Sequence, residues 1–207
     1  MKLFNAANQQ VRHWLFCADG LVTAGGAAQL VLGQSQARSH LILGNNAQEA
    51  LWFEFGSARA TCTISAGAVN AVSVANAGFG FSKPPVVRFL GGGTGQNGSF
   101  LGLGQPNGAA PSDIALGHCV MTGAVGSQTV SSIVIDHPGS LYACAPAVFL
   151  FNSDLDPNGC AVPAINSGLL IPSGAPPLVW NGTCCPTDAI AVWGATTGDQ
   201  FTCRWMD

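Results

Sequence analysis

The sequence predicts an all-β protein: a jelly-roll-like β-sandwich carrying a smaller inserted module of two β-repeats. Three observations lead there. Apolar residues alternate with polar ones in short runs bounded by Gly, Pro and Asn, the pattern of half-buried strands. Only residues 5–16, "NAANQQVRHWLF", offer a stretch that could form a helix, and a short one. A twenty-residue unit also recurs at constant spacing.

Taken in chain order, "LVTAGGAAQLVL" (21–32) is the first strand-like region, followed by "RSHLILGNN" and "ALWFEFGSARA". In the last of these Leu51, Phe53 and Phe55 point one way, and Trp52 and Glu54 the other. Residues 71–90, "AVSVANAGFGFSKPPVVRFL", then align without gaps on 132–151, "SIVIDHPGSLYACAPAVFLF", 61 positions on. Val72 and Val74 meet Ile133 and Ile135; Gly78 meets Gly139; Phe81 meets Tyr142; Pro85 meets Pro146; Val87 and Phe89 meet Val148 and Leu150. Upstream, Gly67-Ala68-Val69 matches Gly123-Ala124-Val125 with five extra residues before the second copy resumes. Each copy, about 64–93 and 120–154, reads as strand, glycine turn, aromatic, proline and strand, a unit that needs its sibling to bury its face. Beyond the repeats, "GLLIPSGAPPLVW", "AIAVWGATTG" and "FTCRWMD" are further short strands. The expected organisation is a discontinuous sandwich domain, 1–60 plus 161–207, with the repeat module at 61–160, because insertions are tolerated at loop tips.

Two glycine-rich turns imitate ligand motifs. Gly93-Thr94-Gly95-Gln96-Asn97-Gly98 follows a strand and fits G-x-G-x-x-G, with Asp113 in the place of the ribose-binding carboxylate. The motif must then open a helix to hold a pyrophosphate. Gly102, Gly104, Pro106, Gly108 and Pro111 forbid one, and Ser99 stands where a P-loop needs Lys. No nucleotide cofactor is expected. Asp154, Asp156 and Asn158, ahead of Gly159, fit the opening of a calcium loop. The position for the bidentate Glu is Ile165, so a solvated turn is the plainer reading.

Charged residues make up 8% of the chain, against a usual value of about 25%. Such a surface is either small and polar or covered by partners. The seven Lys and Arg are scattered, giving no nucleic-acid footprint. No apolar run is long enough to span a membrane, and "MKLFNAANQQ" lacks the apolar core of a secretory signal. Synthesis in a cytosol is therefore expected. Eight cysteines sit awkwardly with that: Cys17, Cys62, Cys119, Cys144, Cys160, Cys184, Cys185 and Cys203. They are either buried thiols acting as small apolar residues or disulfide partners, within or between subunits, in a protein used outside the cell.

No catalytic constellation emerges. His13, His40, His118 and His137 lie in no metal spacing. His118 and Cys119 would point to opposite faces of a strand. Asp136-His137-Pro138-Gly139 reads as a turn. Glu49 and Glu54 are the only glutamates, and no spacing singles out a carboxylate pair. Five Trp and eleven Phe suit a core, or alternatively a carbohydrate site. Asn97 and Asn181 stand in glycan-acceptor triplets that read as turns without a secretory signal.

A resemblance adds to this reading. Arg38, Leu41, Ile42, Asn45, Leu51, Phe55, Gly56 and Ala58 resemble a segment recurrent in structural proteins of tailed-bacteriophage virions. Pro186, Ala189, Ile190, Val192, Gly194, Thr196, Thr197 and Gly198, ending in Phe201 and Trp205, look like its closing "P-x-x-A-I-x-V-x-G-x-T-T-G" segment. The repeats are similar to "G-x-G-Y/F-x-x-x-P-x-V" units of phage tail and capsid accessory proteins. The cysteines depart from that pattern. The resemblance implies a virion component assembled in the host cytoplasm, neither an enzyme nor cofactor-dependent. It further implies a capsid decoration or cement protein, a homotrimer contacting the major capsid protein or other virion subunits. The alternatives are a tail-fibre, tail-tip or head-fibre protein touching the host, and a carbohydrate-binding module.

Overall fold

The computed structural model describes residues 2–4, 10–12, 15–92, 113–152, 156, 158–165 and 167–206. The described chain is all-β, with no α-helix. The first strands are β1 (Lys2–Phe4), β2 (Gln10–Arg12), β3 (Leu15–Cys17), β4 (Gly20–Leu21), β5 (Ala28–Leu32), β6 (His40–Asn45) and β7 (Leu51–Phe55). Then come β8 (Arg59–Ser65), β9 (Ala68–Asn76), β10 (Val86–Leu90), β11 (Leu116–Thr122), β12 (Thr129–His137) and β13 (Ala147–Phe151). The last are β14 (Leu169–Ile171), β15 (Leu178–Asn181), β16 (Ile190–Gly194) and β17 (Gln200–Met206). Where a short helix could form over 5–16, the described residues 10–12 and 15–16 are strand instead: β2 pairs with β1, and β3 pairs with β17. A helix of that length is marginal alone, whereas a strand there completes a sheet.

The chain divides into two compact units, Met1–Phe55 with Pro163–Asp207, and Gly56–Val162. The first divide lies five residues before the expected 60/61 because all of β8 belongs to the inserted unit.

The discontinuous unit is a sandwich. One sheet has the order β15-β6-β17-β3, with β4 also on β17; the other has β14-β7-β16-β5. Counting β3 and β4 as one interrupted strand, the eight strands run 1-8-3-6 against 2-7-4-5, the order of a jelly roll. The interruption is bridged by a side chain. Asp19 Oδ1 accepts the Cys203 amide at 2.9 Å, and its Oδ2 accepts Arg204 Nη2 at 2.8 Å. The Arg204 hydrogen bond, which outweighs partial desolvation, holds the Asp19 carboxyl below its ordinary pKa. Between the sheets lie Leu41, Leu43, Leu51, Phe53, Ile190, Val192 and Phe201, all buried. Phe53 and Phe201 meet edge-on at 6.5 Å. Each such side chain contributes about 1.5–3 kcal/mol over its exposed state.

The inserted unit is a six-stranded barrel in the order β12-β11-β10-β13-β8-β9. It closes where Val69 N–H donates to Pro138 C=O and Val130 N–H to Ala77 C=O, both at 2.9 Å. β9 and β12, and likewise β10 and β13, lie 61 residues apart. Each copy is a hairpin plus a third strand, but that strand crosses over: β10 pairs with β11 of the second copy, and β13 with β8 of the first. The crossing strands pair with each other, and the equivalent residues Arg88 and Phe149 are directly opposed. A pseudo-two-fold axis therefore passes between them.

The hairpins correct two details of the repeat. Its copies begin at Arg59 and Leu116, earlier than 64 and 120. The counterpart of Gly67-Ala68-Val69 is Gln128-Thr129-Val130, as matching hydrogen bonds show: Tyr142 N–H to Gly67 C=O at 2.8 Å, and Phe81 N–H to Gln128 C=O at 3.2 Å. Gly123-Ala124-Val125 belongs to the longer second turn. Both hairpins carry bulges at equivalent places, Arg59/Ala60 with Leu116/Gly117 and Thr63/Ile64 with Val120/Met121. Cys62 and Cys119 are likewise equivalent. The Gly-to-aromatic spacing also has a steric cause. Gly78 and Gly139 adopt φ of 62° and 67°, and a Cβ on either would sit 2.7 Å from the ring of Phe81 or Tyr142.

Candidate functional site

A polar cleft of about 460 Å³ opens between two turns of the sandwich. The β6–β7 turn supplies Asn46, Ala47, Gln48 and Glu49; the β16–β17 turn supplies Thr196, Thr197, Gly198, Asp199 and Gln200. Both turns are fixed by buried or short hydrogen bonds. Asn45, 5% exposed, donates from Nδ2 to Glu49 C=O at 2.7 Å and Ile171 C=O at 2.8 Å, and accepts Ala47 N–H at 2.8 Å. Thr197 Oγ1 accepts Gly25 N–H at 2.9 Å. Thr196 Oγ1 donates to Glu49 Oε2 at 3.1 Å and ties one turn to the other. Asn46 Nδ2 donates to Thr202 Oγ1 at 2.8 Å. Amides, hydroxyls and the Glu49 and Asp199 carboxylates line the cleft together with the apolar parts of the same turns. Little in the sequence pointed to this cleft. Glu49 stood out only as a rare glutamate, and its partner Thr196 is 147 residues away.

Of the calcium-loop candidates, Asp154 lies outside the described residues. Asp156 is 1% exposed, not the solvated turn residue expected. Its Oδ2 accepts the amides of Ser82 at 2.6 Å and Lys83 at 2.9 Å, and its Oδ1 accepts the Asn158 amide at 3.4 Å. Burial alone would raise its pKa; the Lys83 and Ser82 amides reverse that and hold it below the ordinary carboxylate value. The carboxylate thereby caps the turn after Phe81. Among the described residues no group of three His, Cys, Asp or Glu has the geometry to hold a metal. The G-x-G-x-x-G run at 93–98 also lies outside the described residues; Asp113 precedes β11, its carbonyl accepting Ser140 N–H at 3.0 Å.

None of the eight cysteines is joined in a disulfide. Cys119, Cys160, Cys185 and Cys203 are buried, Cys62 is half-buried, and Cys17, Cys144 and Cys184 are exposed. Burial pushes the thiols of Cys62 and Cys185 up, that of Cys119 to about 11, and that of Cys203 to about 12. The buried set acts as small apolar residues.

His118 is exposed and Cys119 buried, on opposite faces of β11. His118 Nδ1 lies 2.8 Å from Asp136 Oδ1. Asp136 and His137 end β12, so the turn begins only at Pro138. The four described tryptophans pack against other rings: Trp52 on Trp193 at 5.3 Å, Trp180 on Phe55 at 5.9 Å, Trp205 on Phe16 at 5.4 Å. Arg38, 3% exposed, joins two loops by donating to the carbonyls of Gly33, Pro186 and Asp188 at 2.6–2.8 Å.

No protein-family model matches the chain, and neither a curated protein nor a solved structure is matched by it.

Proposed function

We propose that the chain is a structural component of a tailed-phage virion, most specifically a capsid decoration or cement protein. One observation carries the reading: a jelly-roll sandwich bears a second, closed β-unit with large apolar side chains exposed on one face. Jelly rolls recur in viral capsid proteins, and that likeness is an analogy of fold. Val86, Leu116, Val134, Phe149 and Phe151 of the barrel are each more than 40% exposed on a chain with 8% charged residues. Such surfaces are made for contact. Many modest apolar contacts to the major capsid protein or neighbouring subunits would hold a shell against internal pressure. The test is binding of the purified chain to expanded capsids, followed by imaging. A fixed copy number at symmetry-related positions supports the role; particles carrying none of the chain reject it.

A second reading, host-surface contact by a fibre or tail-tip protein or by a carbohydrate-binding module, is favoured by the polar cleft. A glycan titration followed by calorimetry decides it. Saturable binding lost in Glu49→Ala supports this reading, and heat signals indifferent to that change remove it.

A further inference from the structure

We propose that the outward face formed by β13, β10, β11 and β12 of the barrel is a contact surface for a second copy of this chain, joined across a two-fold axis. Strand pairing sets Phe151, Val86, His118 and Val134 in one row across these four strands. One row along, Phe149 opposes Arg88. The rings of Phe149 and Phe151 stack at 6.0 Å. Leu116 and Val120 flank His118 on the exposed side of β11, 56% and 38% exposed.

The duplication provides an internal control for whether the fold needs these apolar residues. Leu116, Val120, Val134 and Phe149 occupy the places that Arg59, Thr63, Ser73 and Arg88 hold in the first copy. All four first-copy residues are exposed, on strands with equivalent bulges. The same backbone therefore forms with polar side chains at these sites. The second copy carries apolar ones for a reason outside its own folding, and association is the physical candidate.

The charges on this face indicate which partner covers it. An isologous contact must be complementary to itself. Here Arg88 stands on β10 and the His118–Asp136 pair on β11 and β12. A two-fold running along the boundary of β10 and β11 lays β13 and β10 of one copy over β12 and β11 of the other. Phe151 then meets Val134, and Arg88 reaches the Asp136 carboxylate of the opposing copy. Aromatic anchors beside an arginine are the usual centre of such contacts.

The test is sedimentation equilibrium of the full chain under reducing conditions, which removes thiol cross-links from consideration. The wild type is expected to be a reversible dimer at about 100 μM. The triple variant Val120→Thr, Val134→Ser, Phe149→Arg, which installs the first copy's own residues, should remain folded by circular dichroism and dissociate at least tenfold more readily. Arg88→Asp or Asp136→Arg alone should also weaken the dimer, and the two together should restore it. A wild type that stays monomeric, a trimer, a dimer indifferent to the triple variant, or a double charge swap that restores nothing would each overturn the proposal. It rests on the same exposed face as the virion reading, but the two fail separately: imaging of particles decides that reading, and mass in solution decides this one.

Discussion

Asp156 shows how much one carboxylate can do away from any chemistry. It replaces the missing partners of two turn amides, Ser82 and Lys83. Because its folded-state pKa is depressed, its contribution is complete above about pH 4 and is lost as pH falls through the lower folded value. Asp156→Asn should cost about 1–3 kcal/mol at pH 7 and flatten the acid limb of the stability profile. Urea midpoints at pH 7 and pH 3 check both; a variant that keeps the wild-type midpoint at pH 7 would show that the amides find other acceptors. The role was not legible in the sequence, where D-x-D-x-N-G reads as a solvated turn that imitates the opening of a calcium loop; the true partners lie 73 and 74 residues upstream. The cysteines follow from burial in the same way. In the native protein at pH 8, Cys17, Cys144 and Cys184 should be alkylated first, while Cys119 and Cys203, with pKa values near 11 and 12, stay protected until denaturant is added. Peptide mass spectrometry reads the order directly.

At the scale of elements, the repeat was half legible. From β9 to β13 the copies keep a constant offset, and Gly, Pro and aromatic landmarks mark it. The hairpins' first strands were missed because the second turn has six residues, 123–128, where the first has two, Ala66 and Gly67. That insertion breaks the alignment just upstream of the landmarks, leaving Ala58 with Ala115 and Cys62 with Cys119 as the shared residues that could have restored it. The short turn carries a testable cost. Ala66 is held at φ 49° and Gly67 at φ 76°, both in the left-handed region that a tight hairpin turn requires. Ala66→Asn should stabilise the barrel by up to about 1 kcal/mol, since Asn tolerates that region better. Equilibrium denaturation measures it, and no gain would mean that the strain is relieved elsewhere in the turn.

For the molecule as a whole, the two units were legible because strand-like segments flank a repeat on both sides. The jelly-roll order was not, since alternation shows which residues face inward but not which strand lies alongside which. In this sandwich β3 and β4 pair with β17, β5 with β16, β6 with β15 and β17, and β7 with β14 and β16. No strand among β3–β7 pairs with another of that group. The barrel, in contrast, has its own core and all its partners within 56–162. Residues 56–162 expressed alone should therefore unfold in one cooperative transition. A chain ending at 162 should lose 1–55 rapidly to protease while 56–162 survives, and protection of 1–55 would contradict the pairing. The same arrangement imposes a timetable on the ribosome. The barrel can be finished while the peptide is still growing, but residues 15–55 must wait, without their sheet partners and partly greasy, until β14–β17 emerge. Chaperone capture should fall on that waiting segment.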